Sequence, residues 1–408
     1  MSLAAVRRAE NALLVPTYDR FPVLFRRGRG CTVYDADGRP YLDFLSGIGV
    51  NALGYGHPAI QRALRRQAKR LIHVSNLFYH DYQAALARRL KKISGLDRVF
   101  FTNSGTEAIE GALKLARAYA RLHSANGRRP RWRVLALENS FHGRTFAALA
   151  ATGQKKYRAP FAPLVPGVRF VRFNDVGDLE RKFDSSVCAI LLEPIQGEGG
   201  IRSVSLEFFM RARALTRRRN ALLIADEIQC GLGRTGRYFA YQLAGVQPDV
   251  VTVAKPLAAG LPLGAILARE RVALALGSGS HGTTFGGGPL ACAVALAFLE
   301  TLERERLLAH VRQVGGYFRG RLEELQKKYD WIREVRGAGL MLAMELGFPG
   351  KAVVREALAR GVLINCTHDT VLRFLPPYII EERHVERLMR TLEAIFARVD
   401  AERRSGKR

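Results

Sequence analysis

Short apolar runs alternate with segments of helical periodicity along most of the chain from about residue 58. Runs of this length, bounded by polar residues and glycines, are typical of buried strands. The predicted strands are residues 98–102, 133–137, 188–192, 221–225, 250–253 and 264–268. Alternation of strands and helices indicates an α/β fold with a mostly parallel sheet that carries helices on both faces.

The two ends of the chain follow a different pattern. Residues 34–44 place Asp37 and Gly38 between apolar stretches, which predicts a hairpin. Beyond about residue 310 the pattern predicts, in order, a helix, an alternating strand at 339–346, a helix through residue 360 and a strand at 371–375. A chain of 408 residues exceeds what one hydrophobic core usually supports. We therefore predict a large domain from residues 51–310 and a smaller α/β domain from residues 1–50 and 311–408.

Composition narrows the class of protein. Hydrophobic residues make up 48% of the chain and charged residues 25%, as in ordinary globular proteins. The uncharged residues 286–299 are too few to span a membrane and predict a buried helix, and the first residues lack the apolar core of a signal peptide. Five scattered cysteines without a C-x-x-C pair predict neither a metal site nor a disulfide framework, which fits a reducing cytoplasm.

The formal net charge of +27 is the unusual global property. Lysines and arginines are spread along helix-like segments, with short clusters at 217–219 and 403–408 and no nucleic-acid-binding motif beside them. We interpret most of this charge as solvated helix faces and expect no nucleic-acid partner. An acidic partner stays open as an alternative, because a positive field speeds encounter with anions without specifying a fold.

Two charged residues stand at the ends of predicted strands. Lys255 follows the run at 250–253, and Asp226 follows the run at 221–225. The carboxyl ends of strands in an open α/β sheet form the crevice where ligands bind. A buried lysine is rarely structural, because an ammonium is costly to desolvate and tends to lose its proton. Lys255 is therefore a candidate nucleophile toward a carbonyl group.

Residues 104–106 occupy the turn between the strand at 98–102 and a helix predicted from residue 107. Free amide groups and the positive end of the helix dipole favour a phosphate at such a turn, and Gly105 permits close approach of the backbone. The alternative for this segment taken alone is an ordinary N-cap by Ser104 or Thr106.

Several sequence blocks, in one order over residues 17–378, resemble the class III aminotransferases that depend on pyridoxal 5'-phosphate (PLP). The blocks are FTNSGTEA at 101–108, FHGRT at 141–145, EPIQGEGG at 193–200, DEIQ at 226–229, GLGRTG at 231–236, PD at 248–249, AK at 254–255 and HGTTFGG at 281–287. Within this family, residues 47–54, 365–367 and 372–377 resemble those of the acetylornithine aminotransferases. The resemblance implies a fold-type-I PLP enzyme that transfers amino groups.

The resemblance also implies which residues hold the cofactor. It assigns the phosphate to Ser104, Gly105 and Thr106, the ring face to Phe141, the ring nitrogen to Asp226, the ring hydroxyl to Gln229, covalent attachment to Lys255, and the phosphate again, from the neighbouring subunit, to Thr284. Asp226 then keeps the ring nitrogen protonated, which makes the ring an electron sink, while Lys255 moves the substrate proton. The contribution of Thr284 implies a homodimer with shared active sites.

Substrate contacts follow from the same resemblance. Arg144 matches the arginine that binds the distal carboxylate, and Arg373 matches the one that binds the α-carboxylate of glutamate and 2-oxoglutarate. Two planar guanidinium groups suit a dicarboxylate. Glu198 matches the glutamate that neutralises Arg373 when the donor brings a terminal amine, and Thr283 matches a position that touches an acylated donor.

The implied reaction transfers the terminal amino group of N2-acetyl-L-ornithine to 2-oxoglutarate, giving N-acetyl-L-glutamate 5-semialdehyde and L-glutamate in arginine biosynthesis. Alternative donors are succinylornithine, succinyldiaminopimelate, ornithine, 4-aminobutyrate or a lysine precursor on an acidic carrier protein. An intramolecular aminomutase, which needs no 2-oxoglutarate, and a basic binding protein on a retired enzyme fold are further alternatives. Gly288 stands where the family usually has asparagine, and residues 256–260 replace a more glycine-rich loop, so substrate preference stays open.

Overall fold

A computed structural model of the protein describes residues 1–124 and 131–404. The helices in this part of the chain are α1 (Leu3–Leu13), α2 (Ser46–Gly49), α3 (Pro58–Ala68), α4 (Asp81–Ser94), α5 (Gly105–Leu122), α6 (Phe146–Ala151), α7 (Lys155–Arg158), α8 (Val176–Lys182), α9 (Leu206–Arg218), α10 (Tyr241–Ala244), α11 (Glu270–Ala273), α12 (Pro289–Arg304), α13 (Leu307–Lys328), α14 (Lys351–Ala359) and α15 (Glu382–Arg404). The strands are β1 (Phe25–Arg29), β2 (Thr32–Asp35), β3 (Pro40–Asp43), β4 (Arg98–Thr102), β5 (Arg133–Leu137), β6 (Val168–Val171), β7 (Val187–Leu192), β8 (Ile195–Gln196), β9 (Arg202–Ser203), β10 (Leu222–Asp226), β11 (Val250–Val253), β12 (Gly264–Ala268), β13 (Ile332–Ala338), β14 (Met341–Leu346), β15 (Val362–Leu363), β16 (Asn365–Thr367) and β17 (Val371–Phe374). Residues 405–408 of the basic cluster at the end of the chain lie outside the described residues.

A seven-stranded sheet forms the centre of the molecule, in the order β4-β12-β11-β10-β7-β5-β6. Strands β11, β10, β7, β5 and β6 pair in parallel, and β12 runs antiparallel to both β11 and β4. The predicted mostly parallel sheet is therefore confirmed, with one reversed strand inside it.

Helices cover both faces of this sheet. Successive residues of a strand point to opposite sides, so each strand contacts both helical layers. Leu222 and Ile224 of β10 pack in one apolar cluster with residues of α5. Leu223 and Ala225 of the same strand pack in another with residues of α9. All residues of β7 and β10 are buried, as expected of a parallel sheet enclosed by two helical layers.

Strands from the two ends of the chain pair with each other. The sheet β1-β2-β3-β15 joins three early strands to one near residue 362, with Leu42 opposite Val362 in parallel. The hairpin predicted at 34–44 is confirmed, since Tyr34 pairs with Pro40 in antiparallel register. A further antiparallel sheet, β13-β14-β17-β16, comes entirely from the C-terminal part. The division into domains at residues 50 and 310 stays a prediction.

The predicted buried helix at 286–299 corresponds to α12, which begins at Pro289. No helix within the described ranges is both long and apolar enough to cross a membrane.

The sheet brings chemically useful residues to one edge. Strands β4, β5, β7, β10 and β11 run in the same direction, so the residues that follow them share the carboxyl edge of the sheet. Ser104 follows β4, Phe141 follows β5, Glu193 follows β7, Asp226 ends β10 and Lys255 follows β11. This edge is where open α/β sheets bind ligands.

Candidate active site

A cavity of about 410 Å³ opens at the carboxyl edge of the central sheet. Nine of the predicted site residues line it: Ser104, Gly105, Thr106, Phe141, Arg144, Glu198, Asp226, Gln229 and Lys255. Chain segments that are far apart in the sequence thus converge on one cavity.

The N-terminus of α5 forms one wall. Ser104 is its N-cap, and the serine hydroxyl accepts the backbone N–H of Glu107 at 3.3 Å. The Thr106 hydroxyl accepts the backbone N–H groups of Arg144 and Thr145 at 3.2 and 3.3 Å. A Cβ atom on Gly105 would come within 2.8 Å of the Ile228 side chain, so glycine fits at this position without displacing Ile228. Residues 104–106 line the cavity, and a helix N-terminus at a cavity fits a phosphate.

Asp226 carries a buried carboxylate into the cavity. Its Oδ2 lies 2.7 Å from Nδ1 of His142, and its Oδ1 accepts the backbone N–H of Ile228 at 3.1 Å. The side chains of Asp226 and His142 are 3% and 0% exposed. A buried carboxylate fixed in this way fits a cationic ring nitrogen. His142 lies within the block at 141–145, but the sequence alone gave it no role.

Glu193 is a second residue that the sequence did not single out. Its two carboxylate oxygens accept the backbone N–H groups of Phe141 at 3.0 Å and Gly197 at 3.2 Å. Burial raises the pKa of this carboxyl to about 7. Glu193 therefore ties the segment that bears Phe141 to the segment that bears Glu198.

Lys255 begins a 3₁₀ turn after β11 and lines the cavity. Its φ of 34° lies in the left-handed region, which is uncommon for a residue other than glycine. The ammonium group makes no hydrogen bond or ion pair with any residue that the structure describes. Burial lowers the pKa of Lys255, and nearby Glu198 and Asp226 oppose that shift in part. A lowered pKa increases the fraction of Lys255 that is a neutral amine, and only the neutral amine can act as nucleophile and base.

Arg373 lies in β17 beside the cavity, and its side chain is 1% exposed. One of its nitrogens, Nη1, lies 2.5 Å from Oε1 of Glu198 and 3.3 Å from Oε1 of Gln229. Burial by itself raises the pKa of Glu198, but the charge of Arg373 and its hydrogen bond outweigh burial and hold the pKa below its ordinary value. Glu198 thus pairs with Arg373 through Nη1. Its role in neutralising Arg373 for a terminal amine donor stays a prediction.

Arg144 stands at the mouth of the cavity with its side chain exposed. The two predicted threonines do not line this cavity. The hydroxyl of Thr283 accepts a hydrogen bond from Nδ2 of Asn103 at 3.0 Å, and Thr284 is exposed. A contribution of Thr284 to a second subunit stays a prediction.

Together these groups fit PLP. The start of α5 suits its phosphate, Asp226 its ring nitrogen and Phe141 its ring face, while Lys255 offers an amine to its carbonyl carbon.

Comparison with known proteins agrees with this fit. The family model for aminotransferase class-III matches residues 14–396. The acetylornithine aminotransferase of Methanocaldococcus jannaschii is 48% identical over 382 residues, which cover 94% of this chain and 95% of that protein. The acetylornithine aminotransferase of Aquifex aeolicus is 47% identical over 384 residues, covering 94% and 99%. Among solved structures, an ornithine aminotransferase from Toxoplasma gondii with PLP at partial occupancy in its active site has a TM-score of 0.93 at 36% identity, covering 99% of this chain and 96% of that one.

The family model and the relatives extend over nearly the whole chain, and the solved neighbour confirms the predicted fold class and cofactor. The chain therefore belongs to the class III aminotransferases, and it is a PLP-dependent enzyme of that family.

Proposed function

We propose that the enzyme transfers the terminal amino group of N2-acetyl-L-ornithine to 2-oxoglutarate, giving N-acetyl-L-glutamate 5-semialdehyde and L-glutamate, a step of arginine biosynthesis. The names of the relatives from M. jannaschii and A. aeolicus support this donor. The observation that carries the proposal is the pairing of Arg373 with Glu198 at 2.5 Å, while Arg144 at the cavity mouth has no such partner among the described residues. Arg373 is thus paired with a carboxylate, whereas Arg144 is free to bind the carboxylate of a substrate.

The proposed cofactor site uses residues from four strand ends. Ser104, Gly105 and Thr106 hold the phosphate, Phe141 covers the ring, and Gln229 contacts the ring hydroxyl. Asp226, held by His142 at 2.7 Å, keeps a proton on the ring nitrogen. PLP, when bound, withdraws electrons from the substrate carbon that carries the amino group. Lys255 is the attachment point, and its Nζ takes the proton from that carbon once the substrate amine has displaced it.

The two arginines explain how one site accepts two different substrates. Arg144 binds the carboxylate at the far end of either substrate. The donor presents a terminal methylene amine to the reaction centre, so Arg373 stays paired with Glu198. 2-Oxoglutarate brings an α-carboxylate, which takes the place of Glu198 on Arg373 and satisfies the buried guanidinium again. Thr283 is proposed to contact the acylated end of the donor.

We also infer a homodimer with shared active sites. Thr284 is exposed and adjoins Phe285, which is 66% exposed. Phe78 and Tyr79, 66% and 105% exposed, line a neighbouring cavity together with Thr283. Apolar side chains exposed side by side in this way favour a surface that another chain covers. In such a dimer Thr284 reaches the phosphate site of the partner.

The proposed location is the cytoplasm. Five scattered cysteines without a C-x-x-C pair support this proposal, because structural disulfides are rare in a reducing compartment.

Charge supports one alternative donor, an amine carried on an acidic protein. Arg62, Arg65 and Arg66 of α3 line a groove of about 540 Å³ together with Lys69 and Arg304. A basic groove suits an acidic carrier, and binding that depends on it would make turnover fall steeply with added salt. Turnover of a free small donor would fall much less.

The proposal is tested by steady-state assays with 2-oxoglutarate and a panel of donors. N2-acetyl-L-ornithine should give the highest kcat/KM, with the 5-semialdehyde detected as product. A higher kcat/KM for ornithine, 4-aminobutyrate or a succinylated donor would replace the proposed donor with that amine.

A further inference from the structure

The side chain of Arg144 has an unusual environment for an arginine proposed to bind substrate. Its guanidinium makes no hydrogen bond or ion pair with any described residue. An exposed arginine without a partner samples many rotamers, and a substrate that orders it must offset the lost side-chain freedom. An arginine that recognises a carboxylate gains from being oriented in advance.

Aromatic rings provide that orientation. The guanidinium carbon of Arg144 lies 4.0 Å from the centroid of the Tyr157 ring and 5.6 Å from that of Phe141. The two rings pack edge to face, with centroids 5.8 Å apart and planes at 82°. Tyr157 is half-buried in α7 and does not line the cavity, so its route to a substrate would pass through Arg144. Lys156 also places its Nζ 5.0 Å from the same ring.

An aromatic ring and a carboxylate hold an arginine in different ways. The negative face of the ring attracts the cation, but it takes none of the five N–H donors and cancels none of the charge. Arg373 is the contrasting case, since Glu198 accepts from its Nη1 and opposes its charge. Arg144 is therefore held in position with its N–H donors free, whereas Arg373 is held in position by its pairing with Glu198.

We propose that Tyr157 is a specificity-determining positioning residue, whose ring holds Arg144 at the cavity mouth with its N–H donors free for the distal carboxylate of the substrate. The inference rests on the proposed role of Arg144. Substrates that carry a carboxylate at the far end depend on Tyr157, whereas amines without that carboxylate do not. Tyr157 thus contributes to the selection of both the donor and 2-oxoglutarate.

The experiment compares Tyr157→Leu, which removes the ring, with Tyr157→Phe, which keeps it. Tyr157→Leu should raise KM for N2-acetyl-L-ornithine and for 2-oxoglutarate by about 3- to 30-fold, the range to which cation–π energies correspond, with a smaller change in kcat. Tyr157→Phe should stay close to the wild type. Calorimetric titration of the cofactor-loaded enzyme with glutarate, a dicarboxylate that cannot react, should show Kd rising by a similar factor in Tyr157→Leu alone.

A primary alkylamine without a carboxylate is the control substrate. Its kcat/KM should be the same in the wild type and in Tyr157→Leu. Equal losses for the alkylamine and the carboxylate substrates would mean general damage to the site and overturn the inference, as would an unchanged glutarate Kd or a loss in Tyr157→Phe as large as in Tyr157→Leu. Glutarate binding does not depend on the donor, so a wild type inactive with N2-acetyl-L-ornithine removes the proposed function and leaves the test of Tyr157 intact.

Discussion

Nδ1 of His142 and Oδ2 of Asp226 lie 2.7 Å apart, and both side chains are buried. His142 follows Phe141 directly, so one turn after β5 supplies both the aromatic wall of the cavity and the partner of the carboxylate. The position of the negative charge is therefore set by the protein before a ligand binds.

We expect the hydrogen bond from His142 to Asp226 to contribute to kcat. Replacement His142→Leu removes a hydrogen bond to a charged group, which is worth about 1.5–3 kcal/mol, so kcat should fall by roughly 10- to 100-fold. His142→Gln, which keeps a donor, should lose less. Steady-state kinetics on the two folded variants measure the difference, and equal activity of His142→Leu and the wild type would show that Asp226 needs no such partner.

Lys255 is predicted to be indispensable for turnover but not for retention of the cofactor. Lys255→Ala should abolish transamination and still retain part of its PLP through the phosphate site at the start of α5, as measured by absorbance after gel filtration. Lys255→Arg replaces the amine with a guanidinium group that stays protonated, so this variant should be equally inactive. Substantial turnover by either variant would exclude Lys255 as the proton-transferring base.

Removing Glu198 should separate the two half-reactions. In Glu198→Ala the buried Arg373 loses its partner, so the site should favour a substrate that brings an α-carboxylate. We expect the half-reaction with glutamate to be retained and that with the terminal amine donor to slow by about tenfold or more, measured by stopped-flow absorbance of the bound cofactor. A uniform slowing of both half-reactions would contradict the masking role.

The lowered pKa of Glu198 predicts how substrate preference depends on pH. Because its pKa lies below the ordinary glutamate value, the carboxylate stays ionised and paired with Arg373 as the pH falls toward 4.5. The preference of the wild type for the terminal amine over glutamate should therefore be constant above that pH. A preference that shifts between pH 5 and 7 would show that the pair opens earlier.

Glu227 should make stability depend on pH. Its carboxylate accepts the backbone N–H groups of Ala240 at 2.9 Å and Tyr241 at 2.8 Å, and burial raises its pKa from 4.5 to about 7. Between those values the folded protein binds the proton more tightly than the unfolded chain does. Its contribution to stability is thus fully present below pH 4.5 and is lost as the pH rises through about 7.

Urea unfolding at several pH values between 5 and 7 measures this contribution. Glu227→Gln should be less stable overall, because its amide nitrogen faces a backbone N–H group, but its stability should decline less steeply with pH than that of the wild type. Parallel pH profiles for the two proteins would mean that Glu227 does not titrate in this range.

Much of the fold could be predicted because buried parallel strands are continuous apolar runs. The strands predicted at 98–102, 133–137, 250–253 and 264–268 have the same limits in the structure. Strand β13 was missed, since Arg333 and Glu334 are both exposed in it and interrupt the alternation that marks a half-buried strand. Strand β6, of four residues with only Val171 fully buried, also gave too weak a signal.

The residues that line the cavity could be predicted from the sequence, but most of their contacts, apart from the pair Glu198–Arg373, could not. Sequence blocks identified Phe141, Asp226 and Lys255, whereas the roles of His142 and Glu193 depend on which strands are neighbours. The order β10-β7-β5 puts the ends of these three strands side by side, and only then does Glu193 reach the backbone of Phe141 and His142 reach Asp226. Local sequence patterns do not determine strand order, because pairing joins segments that are distant in the chain.

The most direct test of the account is the absorbance of the PLP-loaded enzyme before and after N2-acetyl-L-ornithine is added without a keto acid. We predict that the long-wavelength band of the bound cofactor disappears and returns when 2-oxoglutarate is added. A band that resists N2-acetyl-L-ornithine but disappears with glutamate would contradict the proposed donor, and the absence of any such band in the loaded protein would contradict the roles proposed for Lys255 and Asp226.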